Sequence, residues 1–241
     1  MWTDDRKILG VLGGMGPLAT QLFYKMILKK TDAKCDQEHL NMIILNHATM
    51  PDRTREILEG RSGELLHLLR KDLQMLETGG AGVIAIPCNT SHVLLPGLQE
   101  NAGVPIINMV EETAAHIAET FQGKDLKIAV LATDGTVRTG LYQKALEKAG
   151  FTPVFPSAES QKLVMKIIYD GVKNGGTIDF ADFLAVQREI FEQECRAAIL
   201  ACTELSCFKE MYNLPDFYID AMGILAEKSI LACGGKIKKQ E

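Results

Sequence analysis

Two short stretches in different halves of the chain read as copies of each other. IAIPCNTSH (84–92) and AILACTELS (198–206) each run an apolar strand into a cysteine and then into polar residues that start helices. Their surroundings repeat as well. KILGVLGGMGPLATQLFYKMILKKT (7–31) and KIAVLATDGTVRTGLYQKALEKAG (127–150) both read as strand, small-residue turn and helix. Setting Ile8 against Ile128 brings Cys88 and Cys202 to nearly equal separations, and a proline precedes a short apolar strand after each cysteine, in VPIIN (104–108) and in LPDFYID (214–220). An internal duplication explains these correspondences together.

The repeated unit also fixes the fold class. Strands alternate with helices throughout, and runs such as MIIL (42–45) and VIAI (83–86) are apolar without alternation. Strands of that kind are buried on both faces, as in a parallel sheet covered by helices on both sides. The chain is therefore expected to be α/β, with two pseudo-symmetric lobes facing each other across a cleft. Helix 17–31 is expected to carry Leu18, Leu22, Tyr24 and Ile27 at helical spacing, and another helix is expected to start near Asn89. No long Pro/Gly/Ser linker separates the halves, so the turns near 108 and 220 are expected to act as crossovers. One lobe then comprises 1–107 plus 221–241 and the other 108–220.

Composition excludes several function classes. Hydrophobic residues make up 46% of the 241 and charged residues 24%, ordinary for a globular chain. A net charge of −5 argues against a nucleic-acid surface, which needs concentrated Lys and Arg. The one basic cluster, KIKKQE (236–241), reads as a solvated tail. No apolar run is long enough to span a membrane and no signal segment is seen. The six cysteines are scattered without CxxC pairs, which fits a reducing cytoplasm and gives no metal-finger spacing, so neither zinc nor another metal is expected.

In an open α/β sheet ligands bind beyond the carboxyl ends of the strands, where Cys88 and Cys202 both fall. A thiol at a helix N-terminus loses its proton more easily. Two thiols facing one small molecule can remove a proton from one face of a carbon and deliver one to the other, inverting it with no cofactor. Asn89, Thr90, Ser91 and Thr203 supply donors for an anion, and Glu204 supplies the charge for an ammonium. Together these groups describe an amino acid. Cys35, Cys195, Cys207 and Cys233 read as fillers. His92 reads first as a surface residue, and His39, His47, His67 and His116 as structural. The glycines of GVLGGMGP (10–17) are wrongly spaced for a dinucleotide turn and suit a tight turn approaching a small anion, with Met15 beside the cleft. MPDRT (50–54) reads equally as a capped loop or as a binding loop.

GVLGGMGPLAT (10–20), MPDRT, PCNTSH (87–92), LATDGT (131–136) and ACTELS (201–206) resemble motifs of the cofactor-independent aspartate/glutamate racemases, over almost the whole chain. The resemblance implies two flavodoxin-like lobes, a homodimer, Cys88 and Cys202 as acid and base, and Arg53 with Thr54 in the loop that holds a substrate carboxylate. It implies further that Lys173, in IYDGVKNG (168–175), is a second basic contact and that Thr136 lies in the turn opening the second lobe. Relatives often carry proline where Ala48 stands and glycine where Ala201 stands. Many broad-specificity relatives replace one cysteine by threonine, whereas both thiols remain here. The expected substrate is aspartate, then glutamate. Two alternatives stay open: an enzyme like maleate isomerase or arylmalonate decarboxylase, and a non-catalytic amino-acid-binding module.

Overall fold

The apolar runs form the buried centres of two parallel sheets in the computed structural model, which describes residues 6–123 and 125–239. The first half runs β1 (Leu9–Gly13), α1 (Pro17–Lys30), β2 (Met42–Asn46), α2 (Arg53–Leu58), α3 (Ser62–Thr78), β3 (Val83–Ala85), a 3-10 turn (Thr90–Leu94), α4 (Leu95–Gln99) and α5 (Met109–Thr120). The second half runs β4 (Lys127–Ala132), α6 (Asp134–Arg138), α7 (Leu141–Lys148), β5 (Thr152–Val154), α8 (Ala158–Lys166), a π-helical turn (Ile167–Lys173) and α9 (Phe180–Glu192). It closes with β6 (Ala197–Ala201), α10 (Thr203–Tyr212), β7 (Tyr218–Asp220) and α11 (Ala221–Ala232).

The sheet orders are β2-β1-β3 and β5-β4-β6-β7, so each cysteine-bearing strand lies beside the first strand of its half. The predicted strand at 104–108 shrinks to a single parallel bridge between Ile84 and Ile106, in the place that β7 takes beside β6. Pro105 has no N–H to give the ladder, and Asn108 already caps α5, which leaves two backbone bonds in all, one on each side of that bridge.

Helix α1 begins with proline in its first turn and buries Ala19, Leu22, Phe23 and Ile27. Leu18 and Tyr24, expected on that face, are exposed because they sit off the stripe that the other four define. One apolar core joins this face of the first sheet to the whole second sheet. A smaller one, built on Leu65, Leu69, Leu73 and Leu76 of α3, covers the first sheet's other face.

The last helix of each half crosses over. Helix α5, capped by Asn108, packs against α7, whereas α11, capped by Asp220, packs against α1 and β3. The basic tail follows α11: Ile237 bridges Thr31, and the Lys238 N–H donates to Lys30 O at 2.8 Å. The expected free tail is therefore pinned through residue 238, while 240 and 241 lie outside the described residues. Among the described residues no helix is long and apolar enough to cross a membrane.

Candidate active site

The carboxyl ends of β1, β3, β4 and β6 all point at one small cavity between the sheets. It measures about 260 Å³ with its mouth included, and its enclosed part has room for about one water molecule. From the first half it is lined by Met15, Asp52, Arg53, Thr54, Cys88, Asn89 and Thr90, and from the second by Thr133, Lys173, Cys202, Thr203 and Glu204. Both thiols thus face one space. Two sequence-predicted residues stand one step behind it. Ser91 lies 3.1 Å from Cys88 Sγ and 3.4 Å from Met15 Sδ, offering its proton to sulfur. Thr136 lies 3.0 Å from the Thr90 hydroxyl.

Cys202 is the N-cap of α10, as its sequence context suggests. The helix end does not govern its proton. Burial comes first, and the neighbouring Glu204 charge and hydrogen bond add to it, so the thiol is pushed well above its usual value against the pull of Lys173. The expectation of an easily ionised thiol fails at this position. Cys202 Sγ instead donates to Glu204 Oε2 at 2.9 Å, and Thr203 Oγ1 donates to the same oxygen at 3.3 Å.

Five buried side-chain polar atoms among the described residues have no hydrogen-bond partner, and three belong to this cavity: Arg53 Nε, Asn89 Nδ2 and Glu204 Oε1. Buried polar groups are otherwise nearly always paired, so three in one cavity define a receptor for a ligand with complementary groups. Arg53 is held in place by its own loop, donating from Nη1 to Met50 O and Pro51 O at 3.1 and 2.8 Å. Asn89 is oriented from across the cleft by Tyr142, whose hydroxyl donates to Asn89 Oδ1 at 2.5 Å and leaves the amide NH₂ toward the cavity. The hydroxyls of Thr90, Thr133 and Thr136 form a triangle of 3.0 to 3.3 Å that ties the two halves together behind it.

Sequence reasoning missed Asp52, Thr133, Tyr142 and Tyr169. Asp52 does cap α2, accepting from the Arg55 N–H at 2.9 Å, but its carboxylate also meets Tyr169 and Lys173 of the other half. His92 is not a surface residue. It is buried, and because its Nε2 accepts from the Met109 N–H at 3.1 Å, its Nδ1 carries the proton and donates to Cys88 O at 2.9 Å. Burial holds its pKa below the usual histidine value, keeping the ring neutral. The glycine turn does not present a free backbone group at Gly14, whose N–H is taken by Thr20 Oγ1 at 2.8 Å. Gly14 has φ +90, and a Cβ there would stand 2.4 Å from the His47 carbonyl carbon, so glycine is required for close packing of two strand ends.

A wider hollow adjoins the cavity and shares Asp52, Arg53, Lys173 and Glu204 with it. A roomier groove walled by α1, α5, α10 and α11 contains neither thiol. Among the described residues no group of three or more His, Cys, Asp or Glu side chains is placed to hold a metal ion.

The chain is similar to known racemases in sequence and in fold. The chain is 28% identical to the broad-specificity amino-acid racemase RacX of Bacillus subtilis over 92% of its own length and 96% of the relative's. It superposes on the aspartate racemase of Picrophilus torridus with a TM-score of 0.84 at 29% identity, covering 97% and 96% of the two chains. The glutamate racemase isoform RacE1 of Bacillus anthracis, at 16% identity and a TM-score of 0.66 over 92% and 79%, shares the fold. The family model described as Asp/Glu/Hydantoin racemase matches residues 12–228, so the chain with its pair of buried thiols belongs to that family.

Proposed function

We propose that this protein is a cofactor-independent amino-acid racemase that acts on aspartate, with glutamate next, by two-base proton transfer between Cys88 and Cys202. The observation that carries the reading is the facing of both thiols onto one cavity that also holds three buried, unpartnered polar atoms of matching chemistry. The α-ammonium meets Glu204 Oε1, the α-carboxylate meets Asn89 Nδ2 and the threonine hydroxyls, and the side-chain carboxylate meets Arg53 and Lys173.

In this cycle Cys88 starts as the base and Cys202 as the acid. Burial, and after it Glu204, keeps the proton on Cys202, and the Ser91 hydroxyl lies 3.1 Å from Cys88 Sγ as a donor to sulfur. The Cys88 thiolate takes the α-proton. Negative charge moves into the α-carboxylate, where the amide and hydroxyl donors offset it, and Cys202 delivers its proton to the opposite face. The product leaves Cys88 protonated and Cys202 as thiolate, the arrangement that processes the other enantiomer. General acid–base catalysis of this kind contributes about 10²–10⁴-fold.

The crossed helices support dividing the chain into 1–107 with 221–241 and 108–220. Six free cysteines accord with a reducing cytoplasm, and the family resemblance with a homodimer. The test is incubation with L-aspartate in D₂O, followed by chiral chromatography and NMR. D-Aspartate should appear with deuterium at the α-carbon, and Cys88→Ser or Cys202→Ser should stop complete inversion. Full racemisation by either variant removes the two-thiol mechanism. Turnover of maleate or of an arylmalonate with no α-exchange points to the other chemistries, and saturable aspartate binding without exchange to a binding module.

A further inference from the structure

Asp52 places a carboxylate of the protein where the substrate's own distal carboxylate is expected. Its oxygens are 3.1 Å from the Tyr169 hydroxyl, and Oδ2 is 3.3 Å from Lys173 Nζ. Lys173 itself lies 4.1 Å above the Tyr169 ring, both residues belonging to the π-helical turn Ile167–Lys173 of the second half. Asp52 belongs to the first half. The pair therefore spans the cleft, and both residues line the inner cavity as well as the wider hollow outside it. Arg53, next in sequence, is buried and has no carboxylate partner among the described residues.

Resting on the racemase reading, we propose that Asp52 is a specificity-determining residue, a resident carboxylate that neutralises Lys173 until the side-chain carboxylate of an acidic amino acid takes its place. Two consequences follow for substrate choice. An acidic substrate has to compete with Asp52 for Lys173, which weakens its binding. A neutral substrate leaves the Asp52–Lys173 pair closed, so a half-buried ammonium is not left bare beside it. Asp52 thus narrows the gap between acidic and neutral amino acids. When displaced it still has the Arg55 N–H and the Tyr169 hydroxyl as donors, so the exchange does not strand a buried charge.

The experiment compares the full-length enzyme with Asp52→Asn, which keeps an oxygen to cap α2 and to accept from Tyr169 but removes the charge. Initial α-proton exchange in D₂O is measured for aspartate, glutamate, alanine and methionine, and kcat/KM is obtained for each. The acidic-to-neutral ratio of kcat/KM should rise about 3- to 10-fold, through a lower KM for aspartate and a higher KM for alanine. Asp52→Ser, a second uncharged cap, must show the same rise if the asparagine variant folds poorly. Tyr169→Phe, which releases Asp52 toward Lys173, should move the ratio down. A ratio that stays constant or falls in the uncharged Asp52 variants overturns the proposal. Absence of α-exchange in the unmodified enzyme, for every amino acid tried, instead overturns the racemase reading beneath it.

Discussion

Tyr142 of the second half holds Asn89 of the first by a buried 2.5 Å hydrogen bond to the amide oxygen. Tyr142 is 1% exposed and Asn89 2%, so neither group has water to fall back on. The bond decides which end of the amide meets a substrate carboxylate. Tyr142→Phe is expected to let the amide turn, raising KM for aspartate several-fold while kcat changes less. It should also lower stability by about 1–3 kcal/mol, because Asn89 Oδ1 is left buried without a donor. Steady-state kinetics with a denaturant titration measure both, and an unchanged KM refutes the orienting role.

Glu204 sets the charge seen by Cys202. Removing it with Glu204→Gln takes away the carboxylate that, after burial, does most to hold the thiol proton on. The Cys202 pKa must then fall. Since Cys202 acts in its protonated form, loss of activity on the alkaline side should begin at lower pH than in the unmodified enzyme. A pH profile of kcat/KM whose alkaline limb stays in place, or moves up, contradicts this assignment.

His92 makes stability depend on pH in the weakly acid range. Its folded-state pKa is depressed below 6.5 by burial, so below 6.5 the unfolded chain binds a proton that the folded chain refuses. Stability present above pH 6.5 should therefore decline as pH falls through that value. His92→Asn, which keeps a donor for Cys88 O but cannot titrate, should have lower stability at pH 8 and a flatter slope between pH 6.5 and 5. Urea midpoints across that range provide the measurement, and parallel slopes count against His92 as the source.

Gly135 lies where α6 of one half meets α2 of the other. A Cβ there would approach the Thr54 α-carbon to 3.0 Å and its hydroxyl oxygen to 3.2 Å. Gly135→Ala is expected to push the halves apart, at a cost of about 1–3 kcal/mol, and to reduce activity more than distant alanine substitutions of equal stability cost. Thermal melting paired with the exchange assay separates the two effects.

Much of the site was legible because its chemistry sits at strand ends. Cys88 and Cys202 could be matched from the repeated strand, thiol and polar starter, and Asn89, Thr90, Thr203 and Glu204 followed from adjacency. Contacts made only when the halves dock left no such mark. Tyr142 falls inside the helix read in 127–150 with nothing to single it out, and Asp52 reads as a cap, which it is, without revealing that its second oxygen reaches Lys173. The Cys202 proton was misjudged for a related reason: sequence shows the helix start but not the burial and the carboxylate that outweigh it. His92 looked superficial because its partners, Cys88 O and the Met109 N–H, belong to the backbone. At 104–108 the apolar run was real, but Pro105 and the cap at Asn108 left too little backbone for a strand.

The crossing of α5 and α11 has a bearing on how the molecule can be taken apart. A fragment ending at residue 107 would keep α1, which buries Phe23 and Ile27, but lose α10 and α11, which pack against that helix, and so would present raw apolar surface to water. Neither piece of a chain cut there owns all of its walls. Solubility should return only when the severed C-terminal segment is supplied alongside, which makes the two halves mutual chaperones rather than independent modules.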